Sequence, residues 1–314
     1  MMRHFRSDDD LSSAEQRDVL ARALDLKADR FASTALAGPQ SVAVIFDKPT
    51  LRTQVSFATA ITELGGYPLI VEGRLAGIGQ RESVADVARV LGRQVRAIVW
   101  RTFAQADLEQ MGEWAQVPVV NALTDDLHPC QALADLLTIA EHTGGVAERG
   151  PALPGRTLAY VGDGSNNMAH SYLLAGALAG MKIRIGAPEA YRPRPDILAR
   201  AERIAAGTGA ELSVHTDPVA AVDGATAVAT DTWVSMGQEG QAQERLTPFL
   251  PYQLNGELLG RAAPSAIVLH CLPAYRGKEI TDEVLEGPAS VVWQEAENRL
   301  HVQKAVLEFL LGAA

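Results

Sequence analysis

The stretch Ser41-Val42-Ala43-Val44-Ile45-Phe46, followed by Asp47-Lys48-Pro49-Thr50-Leu51-Arg52-Thr53-Gln54, decides the fold of this chain. The first six residues form an apolar run of the length of a buried strand, and a helical pattern follows over residues 55–64. The same alternation continues along the first half, where buried strands are predicted at residues 67–71, 97–100 and 117–120 and a helix at 83–91. This alternation predicts an α/β fold in which helices cover a parallel sheet.

A segment rich in glycine and proline, residues 143–155, interrupts the alternation after a long helix predicted at 133–142. Strands are predicted again at residues 157–161, 182–186, 225–230 and 266–270, with helices at 168–179, 195–206 and 296–311. We therefore expect two domains, residues 1–142 and 143–298, each with a parallel sheet flanked by helices. The long helix before the interruption is expected to link them.

Length and composition limit the classes of function. The 314 residues are 47% hydrophobic, which suits two soluble domains of roughly 150 residues each. The formal net charge of −10 argues against a general binder of nucleic acid or of an anionic membrane. Cys130 and Cys271 stand far apart and suggest no disulfide framework. No apolar run approaches the ~18 residues of a membrane span, and we expect a cytoplasmic protein.

Polar side chains follow the first predicted strand at the point where a helix begins. Thr50, Arg52 and Thr53 stand there. The free N–H groups of a helix N-terminus, with threonine hydroxyls beside them, suit a phosphate, and Arg52 can add a charge-assisted fork. The alternative is a capped helix whose arginine makes a surface ion pair. In open parallel sheets ligands bind beyond the carboxyl ends of the strands, which favours the phosphate interpretation.

Other polar residues of the first half, and of the last helix, suit the same ligand. Arg101 directly follows a buried strand, although an ordinary arginine leaving a sheet is the alternative. His128 and Gln131 share one side of a first helical turn, so one can donate to a carbonyl oxygen while the other recognises an amide. Arg299 can reach an anion, or it can pair with Glu295 within the helix.

In the second half, Gly162-Asp163-Gly164 superficially suggests a dinucleotide fingerprint, but the third glycine is missing. Two asparagines at the following helix start, Asn166 and Asn167, can bind a substrate carboxylate or cap the helix. Asp231, after a strand, can hold an ammonium group, and Ser235 with the backbone around Met236 can add polar contacts. A turn with a capping aspartate is the alternative.

The segment His270-Cys271-Leu272-Pro273 ends the last predicted strand. A cysteine in that position is usually inert packing. Pro273 and Gly277 nevertheless indicate a shaped loop, and such a loop can offer the Leu272 carbonyl to an amide N–H.

Together these segments resemble the ornithine carbamoyltransferase family from about residue 41 to residue 311. The specific motifs are His128-Pro129-Cys130-Gln131, Asp231-Thr232-Trp233-Val234-Ser235-Met236-Gly237, His270-Cys271-Leu272-Pro273 and Glu297-Asn298-Arg299. The second and third of these motifs point to the ornithine branch and not to the aspartate branch. The resemblance implies transfer of a carbamoyl group from carbamoyl phosphate to ornithine without a metal or an organic cofactor. It also implies a final helix, residues 299–314, that returns to complete the first domain, and a homotrimer with active sites between subunits.

The resemblance implies a role for each candidate residue. Residues expected to bind carbamoyl phosphate are Thr50, Leu51, Arg52, Thr53, Arg101, His128, Gln131, Leu272 and Arg299. Arg101, His128 and Thr53 are expected to polarise its carbonyl, while Gln131 and the Leu272 carbonyl hold its amide. Residues expected to bind ornithine are Asn167, Asp231, Ser235, Met236 and Cys271. Arg101, His128, Cys271 and Asp231 are the expected catalytic residues.

Two positions depart from the family pattern. The phosphate loop of the family is usually Ser-Thr-Arg-Thr, whereas Leu51 here has no hydroxyl, so one phosphate contact must come from the backbone. Relatives that carbamoylate acylated ornithines also have leucine there. Many members have glutamine or histidine at the position of Gly77, in the loop that neighbouring subunits donate to the site, so that contact is missing or made by another residue.

Three alternatives to an ornithine enzyme follow from these observations. A carbamoyltransferase for putrescine or an acylated ornithine is the nearest one, although Asp231 and the Ser-Met-Gly segment favour a free α-amino acid. An oxidoreductase would use the glycine turn at Gly162 for a nicotinamide nucleotide. A non-catalytic protein with this fold is the third, but retention of the residues named above argues against it.

Overall fold

The computed structural model describes residues 2–147, 150–233 and 242–312. The chain forms two units: unit 1 contains the residues up to Ala134 and those from Glu297 onward, and unit 2 is Asp135–Ala296. Each boundary falls inside a helix, α6 (Pro129–His142) or α13 (Val292–Leu311). The expected domain limits, after residue 142 and after residue 298, stay a prediction. No helix in the described part combines the length and the apolarity that a membrane crossing requires.

Unit 1 contains a four-stranded parallel sheet in the order β2-β1-β3-β4. Its strands are β1 (Ser41–Phe46), β2 (Tyr67–Glu72), β3 (Ala97–Arg101) and β4 (Val119–Leu123). Its other helices are α1 (Ser13–Ala28), α2 (Arg52–Glu63), α3 (Gly73–Ala76), α4 (Val84–Leu91) and α5 (Gln105–Trp114). Val42 and Val44 of β1 and Ile98 of β3 are fully buried in the core, as the apolar runs of these strands predict.

The prediction that residues 67–71 form a buried strand is wrong about burial. The strand exists, but β2 pairs only with β1 and is an edge of the sheet. Tyr67, Leu69 and Ile70 are 56%, 40% and 41% exposed. An apolar run identifies a strand without identifying its neighbours, so the edge position was not readable from the local sequence.

Unit 2 contains a five-stranded parallel sheet in the order β11-β10-β7-β8-β9. Its strands are β7 (Thr157–Val161), β8 (Lys182–Gly186), β9 (Glu211–His215), β10 (Ala227–Thr230) and β11 (Ile267–His270), and a small antiparallel pair, β5 (Val146–Ala147) with β6 (Gly150–Pro151), precedes them. Its helices are α7 (Asn167–Leu178), α8 (Pro195–Thr208), α9 (Pro218–Val222), α10 (Ala242–Phe249), α11 (Gly256–Leu259) and α12 (Asp282–Leu285). The expected α/β class with two parallel sheets flanked by helices is confirmed.

Both strand orders contain a point where the chain changes direction across the sheet. In unit 1 the chain leaves β1 for β2 on one side and then reaches β3 on the other side. In unit 2 the chain runs from β7 through β8 to β9 and then returns to β10 on the opposite side of β7. Crevices at the carboxyl ends of such neighbouring strands are the usual ligand positions of open α/β sheets. The fold therefore offers one such position in each unit.

Candidate active site

The crevice of unit 1 lies at the ends of β1 and β3. Arg101 is the last residue of β3, and Arg52 is the first residue of α2, which begins a few residues after β1. The first N–H groups of α2 have no acceptor within the helix, so its N-terminus favours an anion. Two sequence candidates from distant parts of the chain thus reach the same edge of the sheet.

Thr53 is the point at which two arginines of unit 1 meet. Its side chain is fully buried, and its hydroxyl oxygen accepts hydrogen bonds from Arg299 Nη2 at 2.7 Å and from Arg101 Nη1 at 3.5 Å. Arg101 and Arg299 are themselves only 7% and 3% exposed. Two cations held out of water at one hydroxyl repel each other, and an anion that reaches them relieves that repulsion. This arrangement fits a phosphate or a carbamoyl phosphate.

His128 precedes α6 and is buried in the same region of unit 1. Burial holds its pKa well below the ordinary value, and the positive charges of Arg299, Arg101 and Lys48 lower it further. The imidazole is therefore neutral at pH 7 and can donate one N–H to a carbonyl oxygen. Gln131 lies on the first turn of α6, its backbone N–H donating to the His128 carbonyl at 3.0 Å. This spacing is the one that the sequence predicted for the pair.

The three residues before Thr53 lie at the start of α2. Thr50 and Arg52 are half-buried, whereas the Leu51 side chain is 72% exposed. Leu51 occupies the N-cap position and its side chain caps no N–H group. A serine or threonine there would add a hydroxyl at the helix end, so the departure at Leu51 removes a polar group from the anion-binding edge.

Lys48 is a further cation of this region that the sequence interpretation missed. Its side chain is 6% exposed, its ammonium group forms an ion pair with Asp125, and it lies 4.6 Å from the centre of the Phe103 ring. Burial lowers the pKa of Lys48, and the Asp125 carboxylate opposes that effect. The feature that could have identified Lys48 is its position just after β1, at the same edge of the sheet as Arg101.

The crevice of unit 2 lies at the ends of β7 and β10, and Asp231 directly follows β10. Its Oδ1 accepts a hydrogen bond from the Thr232 N–H at 2.8 Å and another from Cys271 Sγ at 3.3 Å. Its Oδ2 accepts from Asn166 Nδ2 at 3.4 Å. Burial raises the pKa of Asp231, while the hydrogen bonds that it accepts from the Thr232 N–H and the Cys271 thiol oppose that effect. A buried carboxylate of this kind favours a cationic ligand.

The thiol of Cys271 is beside that carboxylate. Burial raises its pKa well above the ordinary value, and the charge of Asp231 raises it further. Cys271 is therefore a neutral thiol that donates to Asp231, and it is not a thiolate base. Cys130, by contrast, is fully buried in unit 1, where burial raises its pKa to about 12. Cys130 is packing, as cysteines in such positions usually are.

Asparagine side chains define the start of α7. Asn167 is its first residue and is half-buried. Asn166 takes the capping role that the sequence offered for this pair of asparagines, and its Oδ1 accepts a hydrogen bond from the Ala169 N–H at 2.9 Å. Its Nδ2 also donates to the Tyr160 hydroxyl at 2.8 Å, besides its bond to Asp231. Asn166 and Tyr160 therefore orient the carboxylate, while Asn167 stays the predicted ligand for ornithine.

The glycine turn after β7 is not shaped like a dinucleotide site. Asp163 is 3% exposed, and its Oδ1 accepts from the backbone and the hydroxyl of Ser165. A Cβ at Gly164 would lie 2.8 Å from the Ala187 Cβ and 2.8 Å from the Tyr191 carbonyl oxygen. The turn is thus closed by packing and contains a buried carboxyl group, which disfavours a pyrophosphate.

The remaining candidates lie in two loops. Leu272 follows Cys271 with φ +57°, in the left-handed region, and its N–H donates to His270 Nδ1 at 2.9 Å. Ser235 and Met236 lie outside the described residues. Gly77 has φ +65° at the end of α3, and a Cβ there would lie 3.0 Å from the Arg81 Cβ. The backbone at Gly77 thus favours glycine over the glutamine or histidine of many relatives.

Comparison with known proteins finds one family model for each half of the chain. Residues 3–141 match the family model described as the carbamoyl-P binding domain of aspartate/ornithine carbamoyltransferases, and residues 154–310 match the model of their Asp/Orn binding domain. Ornithine carbamoyltransferase from Bifidobacterium longum is 55% identical over all of this chain and 96% of its own length. The protein of that name from Clavibacter michiganensis is 58% identical over 99% of both chains.

Solved structures show the same relationship. Ornithine carbamoyltransferase from Pyrococcus furiosus is 41% identical and superposes with a TM-score of 0.93, covering 99% of this chain and 98% of that one. The anabolic ornithine carbamoyltransferase from Campylobacter jejuni is 35% identical, with a TM-score of 0.92 over the full length of both chains. This chain belongs to the aspartate/ornithine carbamoyltransferase family.

Proposed function

We propose that this protein transfers the carbamoyl group of carbamoyl phosphate to the side-chain amine of L-ornithine and releases L-citrulline and phosphate. The names of its relatives in Bifidobacterium and Clavibacter support this reaction. The anabolic enzyme among its structural relatives supports a place in arginine biosynthesis. The expected cytoplasmic location and the expected absence of a cofactor stay predictions.

The observation that carries the proposal is the opposite charge of the two crevices. Unit 1 gathers Arg101, Arg299 and Lys48 around a neutral histidine, which suits a dianionic donor with a carbonyl group. Unit 2 places the buried carboxylate of Asp231 beside the neutral thiol of Cys271, which suits an amine. A carbamoyl transfer to an amine needs these two chemistries.

The reaction consumes a neutral amine. A free ornithine side chain has a pKa of about 10.4 by analogy with lysine, so it is protonated at pH 7. It must therefore lose a proton on binding before it can react. The buried Asp231 carboxylate accepts that proton or passes it to solvent. The amine nitrogen then forms a bond to the carbonyl carbon, and the tetrahedral oxyanion is stabilised by Arg101, His128 and Thr53. The bond from carbon to the phosphate oxygen breaks, and phosphate leaves with the second amine proton.

The other candidates have binding roles in this proposal. Arg52, Arg299, Thr50 and the backbone at Leu51 hold the phosphate group. Gln131 and the Leu272 carbonyl hold the amide of the carbamoyl group. Asn167, Ser235 and Met236 bind the α-amino and α-carboxylate groups of ornithine, with Cys271 beside the reacting nitrogen.

A comparison of amine acceptors tests the substrate half of the proposal. Purified protein would be given carbamoyl phosphate with L-ornithine, putrescine or N-acetylornithine in parallel, and phosphate release would be followed. We expect turnover with ornithine and little with the other two. Turnover with N-acetylornithine alone would contradict the assignment of Asn167, Ser235 and Met236 to a free α-amino acid and would agree with the leucine at position 51.

The Lys48→Met variant should raise the KM for carbamoyl phosphate about tenfold and leave the KM for ornithine nearly unchanged. The reason is the loss of one buried cation from the anion-binding edge, worth roughly one power of ten in affinity at an intermediate dielectric. Loss of the same charge should also raise the pKa of His128 towards its ordinary value, measured from the ring C–H signals by NMR.

Two variants serve as controls for Lys48. Lys48→Arg keeps the charge and should recover most of the affinity. Lys182→Met removes a lysine of unit 2 that forms a surface ion pair with Glu211, and it should leave both KM values unchanged. An unaltered His128 pKa together with a raised ornithine KM would contradict the role given to Lys48.

A homotrimer is the assembly that we propose. The support in this chain is a group of exposed apolar side chains in and next to α2, β2 and α3 of unit 1, each 40–76% exposed: Leu51, Val55, Tyr67, Leu69, Ile70 and Leu75. Large apolar side chains exposed in this number within one part of a domain indicate a protein contact. Light scattering should give the mass of three chains of 33.5 kDa, and a monomer at micromolar concentration would contradict the proposal.

A further inference from the structure

His270, the last residue of β11, uses its backbone N–H and both of its ring nitrogens in hydrogen bonds. Its backbone N–H donates to Glu295 Oε2 at 2.8 Å. Its Nδ1 accepts from the Leu272 N–H at 2.9 Å, and its Nε2 lies 3.2 Å from Glu279 Oε1. His270, Glu279 and Glu295 are each at most 1% exposed. This histidine is therefore fixed in position from three sides within unit 2.

The bonds determine which ring nitrogen of His270 has the proton. A backbone N–H can only donate, so Nδ1 must be unprotonated to accept the bond from Leu272. The single proton of the neutral ring then sits on Nε2 and points at the Glu279 carboxylate. Glu279 thus selects the tautomer that allows Nδ1 to receive the Leu272 N–H, as carboxylates do for many functional histidines.

The acceptor at Nδ1 matters because of the backbone of Leu272. Its φ of +57° lies in the left-handed region, which is unfavourable for a residue with a Cβ atom. Gly277, in the same loop, reaches φ +81° without that cost. Leu272 lacks the conformational freedom of a glycine, and the hydrogen bond from its N–H to His270 Nδ1 stabilises the left-handed conformation instead. The same bond fixes the direction of the adjoining peptide groups.

Glu279 also closes the loop on itself. Its Oε1 accepts the backbone N–H of Tyr275 at 2.5 Å, and the Gly277 N–H donates to the Ile280 carbonyl at 2.9 Å. The same carboxylate oxygen therefore contacts both the histidine that precedes Leu272 and the backbone that follows it. Loss of Glu279 would release both ends of this short loop.

His270 also lies close to Asp231 and Cys271, with one potential ligand atom from each of the three within 4.8 Å of the others. This proximity is compatible with a metal ion by distance alone. Both ring nitrogens of His270, however, are already engaged with Leu272 and Glu279. A metal ligand would have to give up one of these bonds, so the geometry favours orientation of the loop.

We propose that His270 and Glu279 are positioning residues that aim the Leu272 carbonyl at the amide of carbamoyl phosphate. This inference rests on the proposed function for the role of the Leu272 carbonyl. In this proposal neither His270 nor Glu279 contacts a reactant. Glu279 sets the tautomer of His270, and His270 holds Leu272 in the left-handed conformation. The Leu272 carbonyl then accepts the amide N–H of carbamoyl phosphate. Specificity for the carbamoyl group thus depends on two residues, His270 and Glu279, that do not contact the reacting atoms.

Two substitutions at His270 separate its two ring nitrogens. The amide oxygen of asparagine can take the place of Nδ1 and keep the bond from Leu272, but it cannot reach Glu279. The amide group of glutamine can take the place of Nε2 and keep the bond to Glu279, but it leaves Leu272 without an acceptor. Each variant keeps one bond and loses one, so the two should lose similar amounts of thermal stability.

The proposal predicts that His270→Asn keeps the KM for carbamoyl phosphate within about threefold, whereas His270→Gln raises it at least about tenfold, as expected for a buried N–H left unpaired. The KM for ornithine should change little in both. A purely structural role would move both variants together, in proportion to their stability. Equal KM values for carbamoyl phosphate in the two variants would overturn the proposal, as would an effect of His270→Gln on ornithine alone.

Hydrogen exchange at the Leu272 amide provides a readout that does not depend on the reaction. The exchange should be slow in the unaltered protein and in His270→Asn, and fast in His270→Gln. If the unaltered protein makes no citrulline but shows this exchange pattern, the proposed function fails and the positioning pair stands. If citrulline forms and the Leu272 amide exchanges equally fast in all three proteins, the positioning pair fails and the proposed function stands.

Discussion

Arg101→Met should lower kcat about a thousandfold and also raise the KM for carbamoyl phosphate. Arg101 is 7% exposed, and its Nη1 lies 3.5 Å from the Thr53 hydroxyl, which Arg299 also contacts. In the proposed mechanism this guanidinium faces the carbonyl oxygen, where negative charge develops. Removal of one such donor from a site sheltered from water typically costs about 10²–10³ in kcat, and the lost charge weakens the ground state as well.

Two further variants make the Arg101 test specific. Arg101→Lys keeps the charge but loses the planar fork, so it should recover affinity for carbamoyl phosphate more than kcat. Arg96→Met removes an exposed arginine just before the other end of the same strand and should behave like the unaltered protein. Steady-state kinetics at several concentrations of both substrates give the values. An Arg101→Met protein with kcat within tenfold of normal would contradict the role of Arg101.

Asp231→Asn should lower kcat/KM for ornithine about 10²–10³-fold while the KM for carbamoyl phosphate stays within about twofold. The substitution preserves the shape of a side chain that is 8% exposed but removes the negative charge. An ammonium group loses its charge-assisted partner, and the amine loses the group that accepts its proton. Each effect alone is worth one to several powers of ten.

The control for Asp231 is Asp223→Asn. Asp223 is exposed and lies shortly before β10, at the opposite end of that strand from Asp231. It should leave both substrates unaffected. Binding of ornithine to the complex with carbamoyl phosphate, measured by calorimetry, separates affinity from rate. Normal ornithine affinity in Asp231→Asn would remove Asp231 from substrate binding and leave it only a part in proton transfer.

The sequence predicted those parts of the fold in which one local pattern decides the outcome. The run at β1 ends at Phe46 as predicted, because Asp47 interrupts it. β9 was missed because Glu211–His215 is a half-exposed edge strand with mixed polar and apolar residues. Burial at β2 was predicted wrongly for a related reason, since neighbours in a sheet come from distant parts of the chain.

The candidate site shows the same division. The positions of Arg101, His128, Asp231 and Cys271 after strands made them candidates, the resemblance to carbamoyltransferases gave them roles, and those roles await the tests above. Lys48 was missed because a lysine beside a strand usually belongs to the surface, and only the fold brings Asp125 and the Phe103 ring to it. The link from Glu279 to Leu272 through His270 depends on two hydrogen bonds between β11 and the loop after it, which no spacing in the sequence reveals.

Transfer to the side-chain nitrogen of ornithine is the central claim, and isotope labelling tests it most directly. Carbamoyl phosphate labelled with ¹³C would be incubated with the purified protein and L-ornithine labelled with ¹⁵N only at the side-chain nitrogen. We predict a product whose ¹³C signal is split by a bonded ¹⁵N, with one phosphate released for each molecule formed. A ¹³C signal found only in hydrolysis products, or a carbamoyl group on the unlabelled α-nitrogen, would contradict the account.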